Sequence, residues 1–452
     1  MTNLGGTSCK TQADEVTISH IWATAINELL GPDVDGGHAG RIQRPTIYIN
    51  INSKGRSLDM IDRLYDFIRF NFAIFPGVFK YKSADFLNEY YLYRNSRHGF
   101  VSILLNSVVY LVFSFYVRFR AHRVSGRWVK NAKWRRWSTV VGIRYFTDPN
   151  DLAMFNIRTR KQLSDLYRRF EHIGCGRFID DKMASDPTLF HDKFAFAQFC
   201  EEHGIPHPQI FAYVHDGKLD SFRRFDDQQV LIAKPTYGTG GNGVFEVNLE
   251  HAARLGDDGL RRFIGRIIDD PSRPYILQQR VYPSSDVAEL AIDCLPTARV
   301  TTMLNERGEP EVVTSVMRFA SQPGTVADNA HLGGLMAAID PDSGELSAAR
   351  YRSRQGEFAV HPFNSAQIQG KTLERWAEIK DVALRAHREF LKSFVQIGWD
   401  IGLAEQPLVL EINARPDLAL AQRASNTLIG SSRYGELISH HISRRISELQ
   451  AA

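Results

Sequence analysis

Runs of apolar residues broken by single polar ones mark several short strands in the second half of the chain. Leu408-Val409-Leu410-Glu411-Ile412-Asn413-Ala414-Arg415-Pro416 reads as an apolar strand that presents Glu411 and Asn413, two residues apart, on one face. Arg415 follows on the same side, and Pro416 ends the strand. Gly398-Trp399-Asp400-Ile401-Gly402 is a second short strand, and a turn around Glu405-Gln406-Pro407 would pair the two. Val230 to Pro235 is a third, carrying Lys234 at its end. The glycine run Tyr237 to Gly243 comes next, and Val244 to Val247 alternates like a returning strand. Pro274 to Val281 is a further apolar strand, and Thr46 to Ile51 alternates as a half-buried one.

Helical spacing governs elsewhere. Ala195 to His203 leads into Gly204-Ile205-Pro206, and Thr17 to Leu30 stops at Gly31-Pro32. Ser57 is placed to cap a helix carrying Met60, Ile61, Leu64, Phe67 and Ile68. The stripe Leu373, Trp376, Ile379, Val382, Ala383, Ala386 and Phe390 within Leu373 to Val395 predicts a core-facing helix. No internal repeat is evident.

Phe100 to Val117 contains no charged residue, about the minimum length for a membrane span. Arg118, Arg120, Arg123, Arg127, Lys130, Lys133, Arg135, Arg136 and Arg144 follow with no acid before Asp148, interleaved with Trp128, Trp134 and Trp137. Apolar body, tryptophans and cations suit an interfacial segment on anionic lipid. A buried helix followed by a solvated basic one, and a short span, stay open beside that reading. RNA is a lesser option, because no recognised module accompanies the basic run.

The bulk composition changes little. A length of 452 residues is a prior of two or three domains with a large core. Hydrophobic residues are 43% and charged ones 23%, a globular balance, and a net charge of +4 is too small to imply nucleic acid. Cys9, Cys175, Cys200 and Cys294 are too widely spaced for a zinc site or a disulfide framework, so buried thiols in a reducing compartment are the default. Met1 to Asp14 are polar, without an apolar signal core. His20, His38 and His440-His441 lack metal-ligand spacing.

The candidate chemistry lies in the strands. Asp400, Glu411 and Asn413 are three hard oxygen ligands on adjacent strands, a set that suits Mg²⁺ bridging phosphate oxygens. A buried strand with satisfied polar groups is the plainer alternative. Glycines 238, 240, 241 and 243 leave backbone N–H groups open to phosphate, and Lys234 would add a cation. Gly-Lys-Ser/Thr is missing, so this is no Walker loop, and a strand rather than a helix follows, unlike a dinucleotide fingerprint. A simple Gly-rich hairpin turn is the competing reading.

With these residues in order, the chain resembles the ATP-grasp superfamily over roughly residues 150 to 445. In that superfamily a Gly-rich hairpin covers the triphosphate and a Glu-x-Asn strand holds two Mg²⁺ ions. An earlier lysine opens the nucleotide lid, and Lys193 in His191-Asp192-Lys193-Phe194 matches it. A narrower resemblance lies inside. Leu295-Pro296-Thr297-Ala298-Arg299-Val300-Thr301-Thr302 is similar to the Asn-Thr-x-Arg-x-x-Thr strand of the sugar-transfer-associated ATP-grasp group. Met317-Arg318-Phe319, Asp328-Asn329 and Gly333-Gly334-Leu335 continue its pattern. The chain departs from it at Gln279, where an adenine-contacting Glu is usual, and at Pro296, where an Asn is usual.

The resemblance implies an α+β ATP-grasp fold in which two α+β subdomains clamp ATP. Its domains would be an N-terminal region 1–150, with a membrane-associating segment at 100–144, and an ATP-grasp domain 151–452. The lid would run over about 190–278 and the core over about 279–445. It implies ATP and Mg²⁺, and a carboxylate–amine ligase acting through an acyl phosphate on small-molecule or sugar-linked substrates. Lys193, Lys234, Gly238, Thr239, Gly240, Gly241 and Gly243 would hold the phosphates. Gln279 and Val281 would meet the adenine, Asp286 and Glu289 are candidates for the ribose, and Asp400, Glu411 and Asn413 would hold metal. Arg299 is the first candidate to stabilise the transferring phosphoryl group and the acyl oxyanion, with Arg318 and Arg415 next. A sugar kinase using Asp328 as base and a non-catalytic ATP-binding module are the rival readings. The expected setting is cytoplasmic, peripheral at the inner membrane face if the basic segment docks there, with no nucleic-acid partner.

Overall fold

The computed structural model describes residues 84–451, apart from 98–99, 181–188, 190, 217, 225–229, 239–242, 254–258, 260–261, 263, 266–272, 325–332, 391–393 and 415. The helices expected at Thr17 to Leu30 and after Ser57, and the strand at Thr46 to Ile51, lie outside the described residues.

The helices are α1 (Asn88–Arg97), α2 (Phe100–Arg127), α3 (Ala132–Tyr145), α4 (Pro149–Met154), α5 (Arg160–Asp165), α6 (Arg169–Ile179), α7 (Lys193–Glu202), α8 (Leu249–Ala253), α9 (Trp376–Arg388), α10 (Ala419–Ser425) and α11 (Arg433–Ala451). Strands β1 (Ile210–His215), β2 (Lys218–Ser221), β3 (Val230–Pro235), β4 (Phe245–Asn248) and β5 (Tyr275–Gln279) form a small sheet in the order β2-β1-β5-β3-β4. Strands β6 (Thr297–Leu304), β7 (Pro310–Phe319), β8 (Leu335–Ala338), β9 (Ala349–Tyr351), β10 (Glu357–Phe358), β11 (Gln396–Gly402) and β12 (Leu408–Ala414) form the large one, in the order β10-β9-β8-β7-β6-β11-β12. Every described pairing in both sheets is antiparallel.

Antiparallel register gives the large sheet two faces of opposite character. Ala298, Val300, Met317, Phe319, Ile397, Trp399, Ile401, Val409 and Ile412 turn to one side and are buried with Trp376, Ile379, Val382, Ala383 and Ala386 of α9. That helix runs from Trp376 to Arg388, inside the Leu373–Val395 stretch that its apolar stripe suggested. The opposite face carries Thr297, Arg299, Arg318, Asp400, Glu411 and Asn413, while Thr302 and Ser315 stay on the core side. In the small sheet, Leu231, Ala233, Val247 and Leu277 are the buried side, leaving Ile232 and Lys234 on the other.

The charge-free run at Phe100 to Val117 is the first part of a helix of 28 residues that continues through Arg127. Among the described residues no helix is long and apolar enough to cross a membrane, which removes the spanning reading. The helix is half core: Phe113, Val117, Ala121 and Val124 are buried, and Gly142 of α3 lets the Val117 side chain approach where a Cβ would clash.

α10 ties this helical layer to the large sheet. Gln422 accepts from Tyr167 N at 3.0 Å and donates to Tyr167 O at 2.8 Å. The Arg423 guanidinium donates to the carbonyls of Tyr351, Met154 and Arg354 and sits 5.2 Å from the Trp128 ring centroid. Burial holds its pKa down at about 10.

The start of α11 leaves no room for a side chain at Gly435, where a Cβ would run into the Gly430 carbonyl. Gly435→Ala is expected to cost about 1–3 kcal/mol of stability through backbone displacement, read as a lower urea midpoint. An unchanged midpoint would show that the contact between Gly430 and Gly435 is slack.

Candidate active site

The polar face of the large sheet is assembled by cross-strand pairing. β12 and β11 put Glu411 opposite Asp400, with an irregularity just beyond it between Asp400 and Ile401. β11 and β6 put Asp400 opposite Arg299. β6 and β7 put Thr297, two residues before Arg299, opposite Arg318. Directly opposed residues share a face, so Asn413, Glu411, Asp400, Arg299, Thr297 and Arg318 line one band across four strands.

Charge inside this band is tightly paired. Arg299 donates through Nε to Asp400 Oδ1 and through Nη2 to Asp400 Oδ2, the latter at 2.9 Å. Arg318 Nη2 reaches Asp400 Oδ2 at 3.2 Å, while its Nε and Nη2 donate to Thr297 Oγ1 at 3.1 and 2.7 Å. Burial works to raise the Asp400 pKa, but the Arg299 and Arg318 guanidiniums together overcome it and draw it down to about 2. Glu411 goes the other way: burial and the Asp400 carboxylate raise its pKa against the pull of Lys193, Arg299 and Lys234.

The small sheet supplies the facing wall. Asp192 caps α7 by accepting from Phe194 N at 2.8 Å, and its other oxygen accepts from Tyr237 Oη at 2.9 Å. Lys193, the first residue of α7, donates from its backbone N to Thr236 O at 3.0 Å and from Nζ to Gly238 O at 2.8 Å. Gly238 has φ +118° and Gly243 φ +78°, left-handed conformations that suit glycine, and a Cβ at Gly243 would press on Pro235 and Tyr275 Oη. Thr239, Gly240 and Gly241 lie outside the described residues, as do Asp328 and Arg415.

Between the walls lies a cleft of about 420 Å³ whose lining includes Lys193, Lys234, Gly238, Gln279, Val281, Arg318, Asp400 and Glu411. Residues given separate roles by the sequence reading, as far apart in the chain as Lys193 and Glu411, therefore meet in one space. Arg299 is not in that lining; its guanidinium is engaged by Asp400 beneath the floor. Gln279 carries its own constraint, since its Oε1 accepts from Gln209 N at 3.3 Å and its backbone N donates to Gln209 O at 2.8 Å. Asp286 and Glu289 lie outside the lining. Asp286 accepts from Ser284 Oγ and Glu374 N, and Glu289 pairs with Lys371 at 2.8 Å. Glu246 and Asp293 also line the cleft without having been given a role from the sequence, and Glu246 pairs with Arg280 at 2.7 Å.

Among the described residues, no cluster of three His, Cys, Asp or Glu side chains could hold a metal ion. The donor set here is two carboxylates and an amide. Glu411 is half-buried on the cleft lining beside a second carboxylate, and both burial and Asp400 disfavour its charge. A hard divalent cation on the carboxylate oxygens would relieve that strain, so the residues fit Mg²⁺ chemistry.

A lid sheet with a Gly-rich hairpin, facing a large antiparallel sheet across a cleft of lysines and carboxylates, is the ATP-grasp fold. The family model for sugar-transfer-associated ATP-grasp proteins matches residues 182–432, more than half of the chain. The chain belongs to that family. Among solved structures it is similar to a D-alanine–D-alanine ligase from Bacillus anthracis, at 14% identity, covering 57% of this chain and 69% of that one, TM-score 0.32. It is also similar to the D-cycloserine synthetase DcsG, at 15% identity, covering 56% and 70%, TM-score 0.34. A third likeness is to an L-amino acid ligase from Bacillus licheniformis, at 13% identity and TM-score 0.32, covering 56% of this chain and 48% of that one. No curated protein matches the chain.

Asp400 is the counter-charge for two guanidiniums, and its removal should be felt as stability. Asp400→Asn is expected to cost roughly 3 kcal/mol. Because the folded pKa lies below the usual aspartate value of about 3.9, this contribution is present above that pH and is lost as the pH falls through about 2. Urea titrations of parent and variant should therefore differ at neutral pH and converge in acid. Equal stability at neutral pH would contradict the ion-pair assignment.

Proposed function

We propose that the protein is an ATP-dependent ligase that joins a carboxylate to an amine through an acyl phosphate. The observation that carries this is convergence: Lys193 and Lys234 reach one cleft from the lid, and Glu411 and Asp400 reach it from the large sheet. Lysines opposite paired carboxylates suit a polyphosphate with a divalent ion between them. Asp400, Glu411 and Asn413 would hold Mg²⁺, which supplies charge neutralisation at the phosphate oxygens.

The chain's own residues position and shield. Lys193 and Lys234 would hold the phosphates, the hairpin from Gly238 to Gly243 would exclude water from them, and the backbone near Arg280 and Val281 would meet the adenine edge. A substrate carboxylate attacks the γ-phosphorus, giving an acyl phosphate and ADP. An amine then attacks the acyl carbon, and phosphate leaves. Phosphoryl transfer of this kind needs alignment and charge neutralisation more than a protein nucleophile. Arg318, which faces the cleft, is the arginine placed to meet the phosphoryl group or the acyl oxyanion. Arg299 serves as a positioning residue, fixing Asp400. The acid and amine belong to a sugar-linked or amino-acid class, a reading supported by the family's association with sugar transfer.

Two measurements check this. Glu411→Gln and Asn413→Ala should each leave a folded protein whose ATP turnover falls by about two orders of magnitude or more, since the bridging ion loses a ligand. Turnover like the parent's in both would remove the metal assignment. With panels of amino acids and uronic acids, the parent should release free phosphate one-for-one with ADP, and hydroxylamine should trap a hydroxamate. A phosphorylated sugar with no hydroxamate and no amine requirement would make the enzyme a kinase instead.

A further inference from the structure

Leu104, Val108, Leu111, Val112, Phe115 and Phe119 are between 51% and 70% exposed. Their spacing of four, three, one, three and four residues puts all six on one side of α2. Single exposed apolar residues are ordinary, but six on one face of one helix are not. This face is not an unfinished core, because the same helix already buries Phe113, Val117, Ala121 and Val124 on its other side. From Leu104 to Phe119 the stripe runs about 22 Å along the helix.

We propose that this face of α2 lies in the surface of an anionic lipid bilayer, with the helix parallel to the membrane plane. Charge selects the occupant. The chain has no Asp or Glu from Tyr90 through Thr147. Arg118 follows Phe115 by three residues and Arg123 follows Phe119 by four, so exposed arginines border the stripe at its C-terminal end. Arg120, between them, turns away to Asp148 at 3.4 Å. Arg127, Lys133 and Arg136 add exposed cations in the same hairpin. An apolar strip ending in cations fits acyl chains below and anionic headgroups around them. A second copy of this chain would bring the same cations together, which argues against self-association through this face.

The test uses the whole protein with phosphatidylcholine vesicles, with and without phosphatidylglycerol. The parent should co-sediment with the anionic vesicles at low salt and be released by high salt, because exposed charges are screened within about 8 Å at physiological salt. Replacing the exposed pair Phe115 and Phe119 by serine should weaken binding by roughly a hundredfold. Arg118→Gln with Arg123→Gln should weaken it to a smaller extent and reduce its salt dependence. Circular dichroism and solution ATP turnover should stay at parent values in both, which separates this proposal from the ligase reading. Failure of the parent to sediment at low salt overturns the proposal. So does sedimentation that the Phe115 and Phe119 serine variant leaves unchanged, or a parent dimer that this variant converts to monomer while vesicles are ignored.

Discussion

Two carboxylates, Asp400 and Glu411, stand opposite each other on paired strands, and the cleft is organised around that constraint. Burying one carboxylate costs several kcal/mol unless it is paired. Asp400 is paired twice over, by Arg299 on the adjacent strand and by Arg318 one strand further. Those bonds fix the registers of β6, β7 and β11 relative to one another, since slipping any strand by one residue would send its charged residue into the core beneath. Glu411 is left with the weaker company of lysines from the opposite wall. The floor is therefore built with one carboxylate neutralised by the protein and one still in want of a cation.

Within the lid, Tyr237 on Asp192 and Lys193 on Gly238 join the start of α7 to the end of β3 and the glycine that follows it. The Lys193 bond to a carbonyl is one that an anion would readily replace, because charge-assisted contacts to phosphate are stronger than those to a neutral oxygen.

Much of this was legible in the chain because the signals are short-ranged. β3 covers the Val230 to Pro235 stretch that its apolar run suggested, and β12 carries Glu411 and Asn413 as period-two spacing requires. What could not be read is pairing between strands far apart in sequence. Arg299 and Asp400 are 101 residues apart, and nothing local shows that they share a carboxylate bond, so Arg299 looked like a cleft residue when it is a floor support. Gln279 looked free for a ligand, but Gln209 uses its side-chain oxygen. Asp286 and Glu289 were candidates by position alone, and each has a nearer partner. The uncharged run before Arg118 was incomplete as a signal in a different way. A charge-free stretch gives hydrophobicity without direction, and only the packing of α2 separates its buried half from its exposed half.

Calorimetric titration of ATP, with Mg²⁺ present and with Mg²⁺ removed by chelation, tests the cleft most directly. Binding to the parent should be at least tenfold tighter with Mg²⁺ than without, and Lys234→Ala should lose most of it in either condition, because the lysine supplies a phosphate contact independent of the ion. Equal affinity with and without Mg²⁺, or undiminished affinity in Lys234→Ala, would contradict a nucleotide site built from the lid lysines and the carboxylates of the large sheet.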